Sequence, residues 1–565
     1  MAQGVKLNFL RRHPFITVFS TALVLRVMFA IFYLSSPFRF FHEVPGLDME
    51  TLLRFGEWGT PGNSFFFTLH RLQVFLFWKL NGGTHPVIWH VLWQALLGSA
   101  GAGLLSEIML KISGKSHLAL LAGVVWALNP VELMYEFTTL QETLVNFGII
   151  LSFWSFLKAR QHRFAPLYAL GAGCAAGVAA TGRPVAVGMT LLLGAWCAFY
   201  LYRKKLSLKG ALAYGCGILL VWGIFSTVNF CQGSRFNCFF NPVSYAVSVN
   251  TAPPAAAEKL SSPTAAPALP PLVTTAFKMF KRIPGLWSPG EIPENLNIYF
   301  LKDKIPFLRI PHEFLPLCAA MGLLFLLIKG EWKRKTALIL LPIVSLSFFL
   351  CIREPIGRDR LLLLPWFVLL TVWFFHCLSK KNKYFAVSLM LLPLIFHLTT
   401  LSSPPLRAAD FSAWGWALEK ESRAITPEVI KYFQAAFALK PESSNAVALI
   451  TRAMKTDRRE LAQKSAAIWM KTSGNAPLAY YYGALAAYPE YGAMKKFLAL
   501  VKEEELPPLF RFRFFMMQGE CALKTCDRAG ALKFYRSALR IPEGTPAQRQ
   551  YAEKTVQQLE KQKND

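Results

Sequence analysis

Long stretches of apolar side chains, each bounded by a short polar segment, dominate the chain as far as residue 400. A helix that crosses a bilayer needs about 20 apolar residues, because it rises 1.5 Å per residue through about 30 Å of hydrocarbon. Runs of this kind fall at 14–34, 87–110, 117–131, 142–157, 165–181, 184–202, 211–229, 313–328, 336–352, 361–378 and 385–400. The pattern predicts about eleven transmembrane helices. After Ser402-Ser403-Pro404-Pro405 its character changes to charged, helix-forming sequence with apolar residues at helical spacing. The expected fold is all-α: a polytopic membrane helix bundle over 1–400, a linker over 401–409 and a soluble helical-repeat domain over 410–565.

The charges test this division. The 565 residues hold 61 bases and 33 acids, a net +28, which on its own fits nucleic acid or a membrane surface as partner. Their positions decide for the membrane. Lys6, Arg11 and Arg12 precede the first run, and further basic clusters follow at Lys111/Lys115, Lys158/Arg160/Arg163, Arg203/Lys204/Lys205/Lys209, Lys329/Lys333/Arg334/Lys335 and Lys380/Lys381/Lys383. These fall in every second loop, so the positive-inside rule puts them and the N-terminus in the cytoplasm. Residues 35–86, 132–141, 230–312, 353–360 and everything after 400 are then extracytoplasmic, as expected for a multi-pass protein of the plasma (inner) membrane. Bases spread over loops form no stripe for nucleic acid. With 54% hydrophobic and only 17% charged residues the chain is too apolar for a soluble protein. The first run is too long for a cleaved signal and is read as a signal anchor.

In the long outer loop, residues 251–271 are Pro/Ala-rich and cannot form a core. Cys231 and Cys238 stand just before them, either as a local disulfide or as two free thiols. Within the tail, Gly519, Ala531, Tyr535, Ala538 and Pro542 keep the offsets of a tetratricopeptide unit, and Phe433, Ala436 and Pro441 repeat the end of it. Ala436 and Ala538 are 102 residues apart, three periods of about 34. About four degenerate repeats with a capping helix over 545–561 are expected; a plain helical bundle is the alternative.

Four outer segments carry candidate chemistry. Asp48 lies shortly after the first run, Glu136 lies in the short 132–141 loop and Glu142 directly follows it, Arg183 stands alone in a tight hairpin, and Arg358 and Arg360 precede a late run. Each has a plainer explanation: a solvated loop acid, a helix-dipole partner for Glu142, a snorkelling Arg183, or salt bridges of the late arginines with Glu354 and Asp359. Together they place carboxylates and guanidinium groups on one face, beside lipid. Carboxylates take protons from hydroxyls, and guanidinium forks hold phosphate. That combination suits glycosyl transfer from a lipid-phosphate sugar.

The order of motifs resembles the C-type integral-membrane glycosyltransferases, in particular the group of protein O-mannosyltransferases and aminoarabinose transferases. The resemblance covers about residues 10–400. It rests on Arg26, Gly46-Leu47-Asp48, His85-Pro86 with Gln94 to Ser99, Asn129-Pro130, Tyr135-Glu136, Gln141-Glu142-Thr143-Leu144, Arg183-Pro184, and Arg358-Asp359-Arg360-Leu361 with Pro365. It implies inverting transfer of a sugar from a polyprenyl-phosphate donor to a protein or glycolipid acceptor outside the membrane. Carried onto this chain, it makes Asp48 the general base and Glu142 a supporting acid, with Glu136 the rival. Arg358 and Arg360, with Arg183, would hold the carrier phosphate. Trp287, Glu291 and Asn295 would line the acceptor side. The chain departs from the pattern at Phe65 to Arg71, where relatives have a Pro-rich segment, and at Met49, which separates Asp48 from Glu50. No acid cluster demands a metal and no cofactor is expected, because Arg358 and Arg360 can replace the cation; a divalent ion stays the open alternative.

Two other readings remain. An O-antigen-ligase or polymerase type would share the many spans and outer arginines but place its acids late in the chain. A flippase of lipid-linked sugars would line the whole membrane with charge, for which Arg26 and Glu107 are candidates. The tail is expected to bind a protein partner or to help place the acceptor.

Overall fold

The computed structural model describes residues 13–45, 47–50, 68–81, 87–159, 165–231, 279, 282–283, 285–288, 296–328, 335–352, 357–378, 406–473 and 476–564. Cys238, the 251–271 segment, Glu291, Asn295 and the 385–400 run lie outside them. The described residues are helical, without strands, and divide into two units, Met1–Leu406 and Arg407–Asp565.

The first unit contains α1 (Pro14–Leu34), α2 (Thr68–Leu80), α3 (Val87–Ser113), α4 (Ser116–Ala127), α5 (Pro130–Glu136), α6 (Glu142–Ala159), α7 (Ala165–Gly182), α8 (Val187–Tyr202), α9 (Leu208–Cys231), α10 (Ile298–Lys304), α11 (Phe314–Ile328), α12 (Lys335–Ile352) and α13 (Leu364–Leu378). Seven helical segments among the described residues are long and apolar enough to cross a membrane, or eight if α4 and α5 form one bent span. This is the helix content of an integral membrane protein. Of the eleven expected runs, three that fall on described residues are not among the seven; of the 336–352 run only a shorter apolar helix, Leu338–Cys351, is found. The other two differ for a physical reason. The 117–131 run breaks by 54° between α4 and α5, where Pro130 cannot continue the ladder and the Asn129 side chain accepts from the amides of Val131 and Glu132. The 142–157 run forms α6, whose buried face carries Glu142, Asn146, Ser152 and Ser155. Its polarity belongs to a helix packed inside the bundle.

Lipid tails are as apolar as leucine, so helix association inside a bilayer depends on close packing and interhelical hydrogen bonds. Two glycine seams supply the packing. A Cβ on Gly173 of α7 would collide with the Tyr214 carbonyl of α9, and one on Gly217 of α9 with the Leu170 carbonyl of α7. Gly173 and Gly217 thus let the two backbones touch, and Gly177, one turn on, makes room for the Val221 side chain. Gly322 of α11 meets the Leu370 carbonyl of α13 in the same way. Hydrogen bonds add to the seams: Tyr214 Oη donates to the Thr190 carbonyl at 2.8 Å, Ser345 Oγ to that of Gly188 at 2.8 Å, and Thr371 Oγ1 to that of Leu315 at 3.1 Å.

The second unit runs through α14 (Ala408–Ser422), α15 (Pro427–Leu439), α16 (Ser443–Lys455), α17 (Arg459–Thr472), α18 (Pro477–Ala487), α19 (Tyr491–Ala499), α20 (Pro508–Lys524), α21 (Arg528–Leu539) and α22 (Pro546–Asn564), each packed on the next. Ala436, Ala531, Tyr535 and Ala538 are fully buried, and Gly519 lies under the Tyr535 ring. Arg452 closes the first helices: its guanidinium lies 4.3 Å from the Trp416 ring centroid and 3.9 Å from that of Phe433, and it donates to Glu419 at 2.6 Å.

Overpacking a seam where a backbone carbonyl must shift costs about 1–3 kcal/mol or more. Gly173→Val is therefore expected to lower the melting temperature of the detergent-solubilised protein by several degrees. The same substitution at Gly215, where an added Cβ meets nothing within 4 Å, should leave it nearly unchanged.

Candidate active site

Five segments far apart in sequence meet at one end of the membrane unit: the turn after α1, the start of α6, the α7–α8 hairpin, the segment around Trp287, and the 3₁₀ turn Gly357–Leu363 that opens α13. Each site helix carries its charged site residue at this end and a basic or histidine residue at the other. Glu142 and Lys158 bracket α6, Arg183 and Arg203 bracket α8, and Arg358 and His376 bracket the span that contains α13. Lys115 Nζ lies 3.2 Å from His376 Nε2 at that opposite end.

The central contact joins Arg358 Nη1 to Asp48 Oδ2 at 2.6 Å. Arg358 Nε also lies 3.9 Å from Glu142 Oε1. The same carboxylate oxygen accepts from Arg183 Nη2, and Arg183 Nη1 reaches Asp359 Oδ1 at 3.7 Å. Glu142, Asp359 and Arg360 are buried, whereas the Asp48 side chain is 47% exposed. Glu142 Oε2 is buried with no hydrogen-bond partner among the described residues. An acceptor-only oxygen held this way suits a hydroxyl donor brought in from outside.

Arg360 donates to the Ser288 carbonyl. Beside it, the Trp287 ring packs on Phe367 of α13 with centroids 4.7 Å apart. These contacts make the Trp287–Ser288 segment a brace for the 3₁₀ turn. The rival acid Glu136 does not join the cluster. It is fully buried and paired with Arg26 Nη2 of α1 at 2.5 Å.

That pair belongs to a buried polar framework beneath the site. A Cβ on Gly98 would strike both the Glu136 carboxylate and the Arg26 guanidinium, so a glycine is needed in α3 where the pair passes. Gln94, one turn earlier, donates to the carbonyls of Thr138 and Leu140 at 2.9 and 2.7 Å, fixing the chain that leads into Glu142. Gln141 Nε2 holds the Gly182 carbonyl at 2.5 Å, next to Arg183. Thr139 Oγ1 donates to the Met49 carbonyl at 3.2 Å, next to Asp48. Asn146 donates to Glu132 at 3.0 Å. Thus the 137–141 loop ties together the three segments that carry Asp48, Glu142 and Arg183.

Sequence reasoning named Gln94 only as a motif member and Arg26 as a motif member and a candidate for a transmembrane charge path, and did not assign Glu132, Thr139 or Asn146. The available signal was composition: Thr138 to Thr143 is an unusually polar stretch between two apolar runs. No group of three or more His, Cys, Asp or Glu able to hold a metal ion occurs among the described residues. No protein-family model and no curated protein matches the chain.

Removing one member of a buried ion pair leaves the other charge uncompensated and costs about 3–5 kcal/mol, whereas replacing both by apolar groups is often neutral. Arg26→Met is expected to reduce the yield of monodisperse protein in size-exclusion chromatography sharply. Arg26→Met with Glu136→Met should recover most of it.

Proposed function

We propose that the protein is a membrane glycosyltransferase that moves a sugar from a polyprenyl-phosphate donor to an acceptor hydroxyl at the extracytoplasmic face. The observation that carries this reading is the meeting of Asp48, Glu142, Arg183 and Arg358 at one end of the membrane unit. Such a cluster combines an exposed carboxylate with guanidinium groups close to lipid. The acceptor oxygen bonds to the anomeric carbon while the bond from that carbon to the carrier phosphate oxygen breaks. The electron pair leaves with the phosphate, and the acceptor proton passes to Asp48. Arg358 and Arg183 balance the charge that develops on the departing phosphate. Glu142 orients both guanidinium groups, and Arg360 holds the 3₁₀ turn through Ser288 rather than gripping phosphate itself. In this reading the basic loops are cytoplasmic, and the second unit is a tetratricopeptide-like domain that engages a protein partner or the acceptor.

Asp48 and Glu142 lie early in the sequence and the charged cluster gathers at one end, which favours this reading over a ligase-type enzyme or a flippase. Arg26, the candidate for a transmembrane charge path, is bonded to Glu136 in the interior.

The test is transfer of labelled sugar from polyprenyl-phosphate donors in proteoliposomes. A positioned general base contributes about 10²–10⁴-fold, so Asp48→Asn should lower kcat by that factor with the protein still folded. Arg358→Ala should raise the donor KM by about tenfold or more, the worth of a charge-assisted hydrogen bond. Arg360→Ala should instead lower thermal stability with a smaller change in KM. No transfer by the wild type with any polyprenyl-phosphate sugar would overturn the proposal.

A further inference from the structure

In the interior, α1, α5 and α6 enclose two carboxylates and one guanidinium. Arg26, Glu132, Glu136 and Asn146 are each at most 1% exposed. Arg26 is bonded to Glu136 through Oε1. Glu132, one helical turn away on the same side of α5, has no salt bridge among the described residues. Its Oε2 accepts from the Asn146 amide at 3.0 Å, and its Oε1 has no hydrogen-bond partner. Glu136, Arg26 and Glu142 all lie within electrostatic reach of Glu132, but Arg26 is bonded to Glu136 and Glu142 to Arg183. Nor is Glu132 needed as a helix cap, because the Asn129 side chain already holds the first amides of α5. Two more oxygens share the condition of Glu132 Oε1: Asn146 Oδ1 and Glu136 Oε2 are buried without a partner, and Arg26 Nε bonds none of the three.

This group is short of one positive charge and of a partner for three acceptor-only oxygens. An isolated carboxylate in so dry a place is too costly to stand, and ionisable residues at membrane depth mark ion sites. A proton on Glu132 would remove the charge but supply a single hydrogen. A metal ion meets both needs. Two carboxylates less one guanidinium leave one negative charge, which a monovalent ion balances and a divalent ion would exceed. Carboxylate and amide oxygens are the ligands that hard cations take. We infer that Glu132 Oε1, Asn146 Oδ1 and Glu136 Oε2 hold a single alkali cation between α5 and α6. The ion ties the helices on either side of the 137–141 loop, the loop that holds the segments of Asp48 and Arg183. The site stands apart from the glycosyl-transfer reading, because none of its three ligands takes part in the transfer.

The probe is sodium. Thermal unfolding of the purified full-length protein in detergent is followed as sodium chloride replaces N-methylglucamine chloride at constant ionic strength. An ion that binds only the folded state stabilises it by mass action, so the melting temperature of the wild type should rise by several degrees. Glu132→Gln keeps the side-chain shape and removes the charge that requires the ion. Its melting temperature should not respond to sodium, and in sodium-free buffer it should equal or exceed that of the wild type. Asn146→Leu removes a ligand and keeps the charge, and should shift the response to higher sodium concentration. Equilibrium dialysis with radioactive sodium should find one ion per wild-type chain and none on Glu132→Gln. A wild type indifferent to sodium overturns the site, including one that responds to pH alone because Glu132 carries a proton. So does a Glu132→Gln protein that gains stability from sodium as the wild type does. Where Glu132→Gln does not fold, Asn146→Leu decides: a sodium response identical to that of the wild type overturns the site.

Discussion

A charge placed in hydrocarbon costs about 2.5–3.5 kcal/mol even on insertion scales, and water is not at hand to reduce the penalty. This constraint organises the membrane unit. Arg26 of α1 meets Glu136 of α5, Arg183 of the α7–α8 hairpin meets Glu142 of α6, and Asp359 answers Arg183 from the turn before α13. Each pair joins segments distant in sequence, so charge matching also sets which helices are neighbours and at what height. Apolar side chains tolerate sliding; buried ion pairs do not. The unit therefore gains register from its buried charges, while the Arg358–Asp48 pair keeps a carboxylate that is 47% exposed.

Between the ion pairs, backbone carbonyls are held by amide and hydroxyl side chains. Gln94, Thr139 and Gln141 share this work around the 137–141 loop. A short loop fixed at these points holds the segments that carry Asp48 and Arg183 in place relative to each other. Glycine seams do the complementary job lower in the bundle, where α7 and α9 touch backbone to backbone.

Much of this was legible in the sequence, for reasons that can be stated. Hydrophobic run length marks helices reliably because bilayer thickness fixes it, and Pro14–Leu34 and Arg358–Leu378 follow their runs closely. The joint presence of Asp48, Glu142, Arg183 and Arg358 was legible because arginine is sparse in the loops that the basic clusters mark as outer. What escaped was anything set by side-chain direction. Arg358 and Arg360 lie two residues apart yet face different partners, since a 3₁₀ turn sends nearby side chains to different sides. Glu136 and Glu142 flank one loop, but one is consumed by Arg26 in the interior. The bend at Asn129-Pro130 carried its own signal, a cap followed by proline, which run length alone reads as a continuous helix.

Synthesis proceeds from the N-terminus, so α1 reaches the bilayer well before α5 has been made. Until Glu136 arrives, the guanidinium of Arg26 has no interior carboxylate to meet. The first helix therefore enters the membrane as an incomplete part whose burial is deferred, and every chain cut short before α5 keeps an orphaned cation in its opening span.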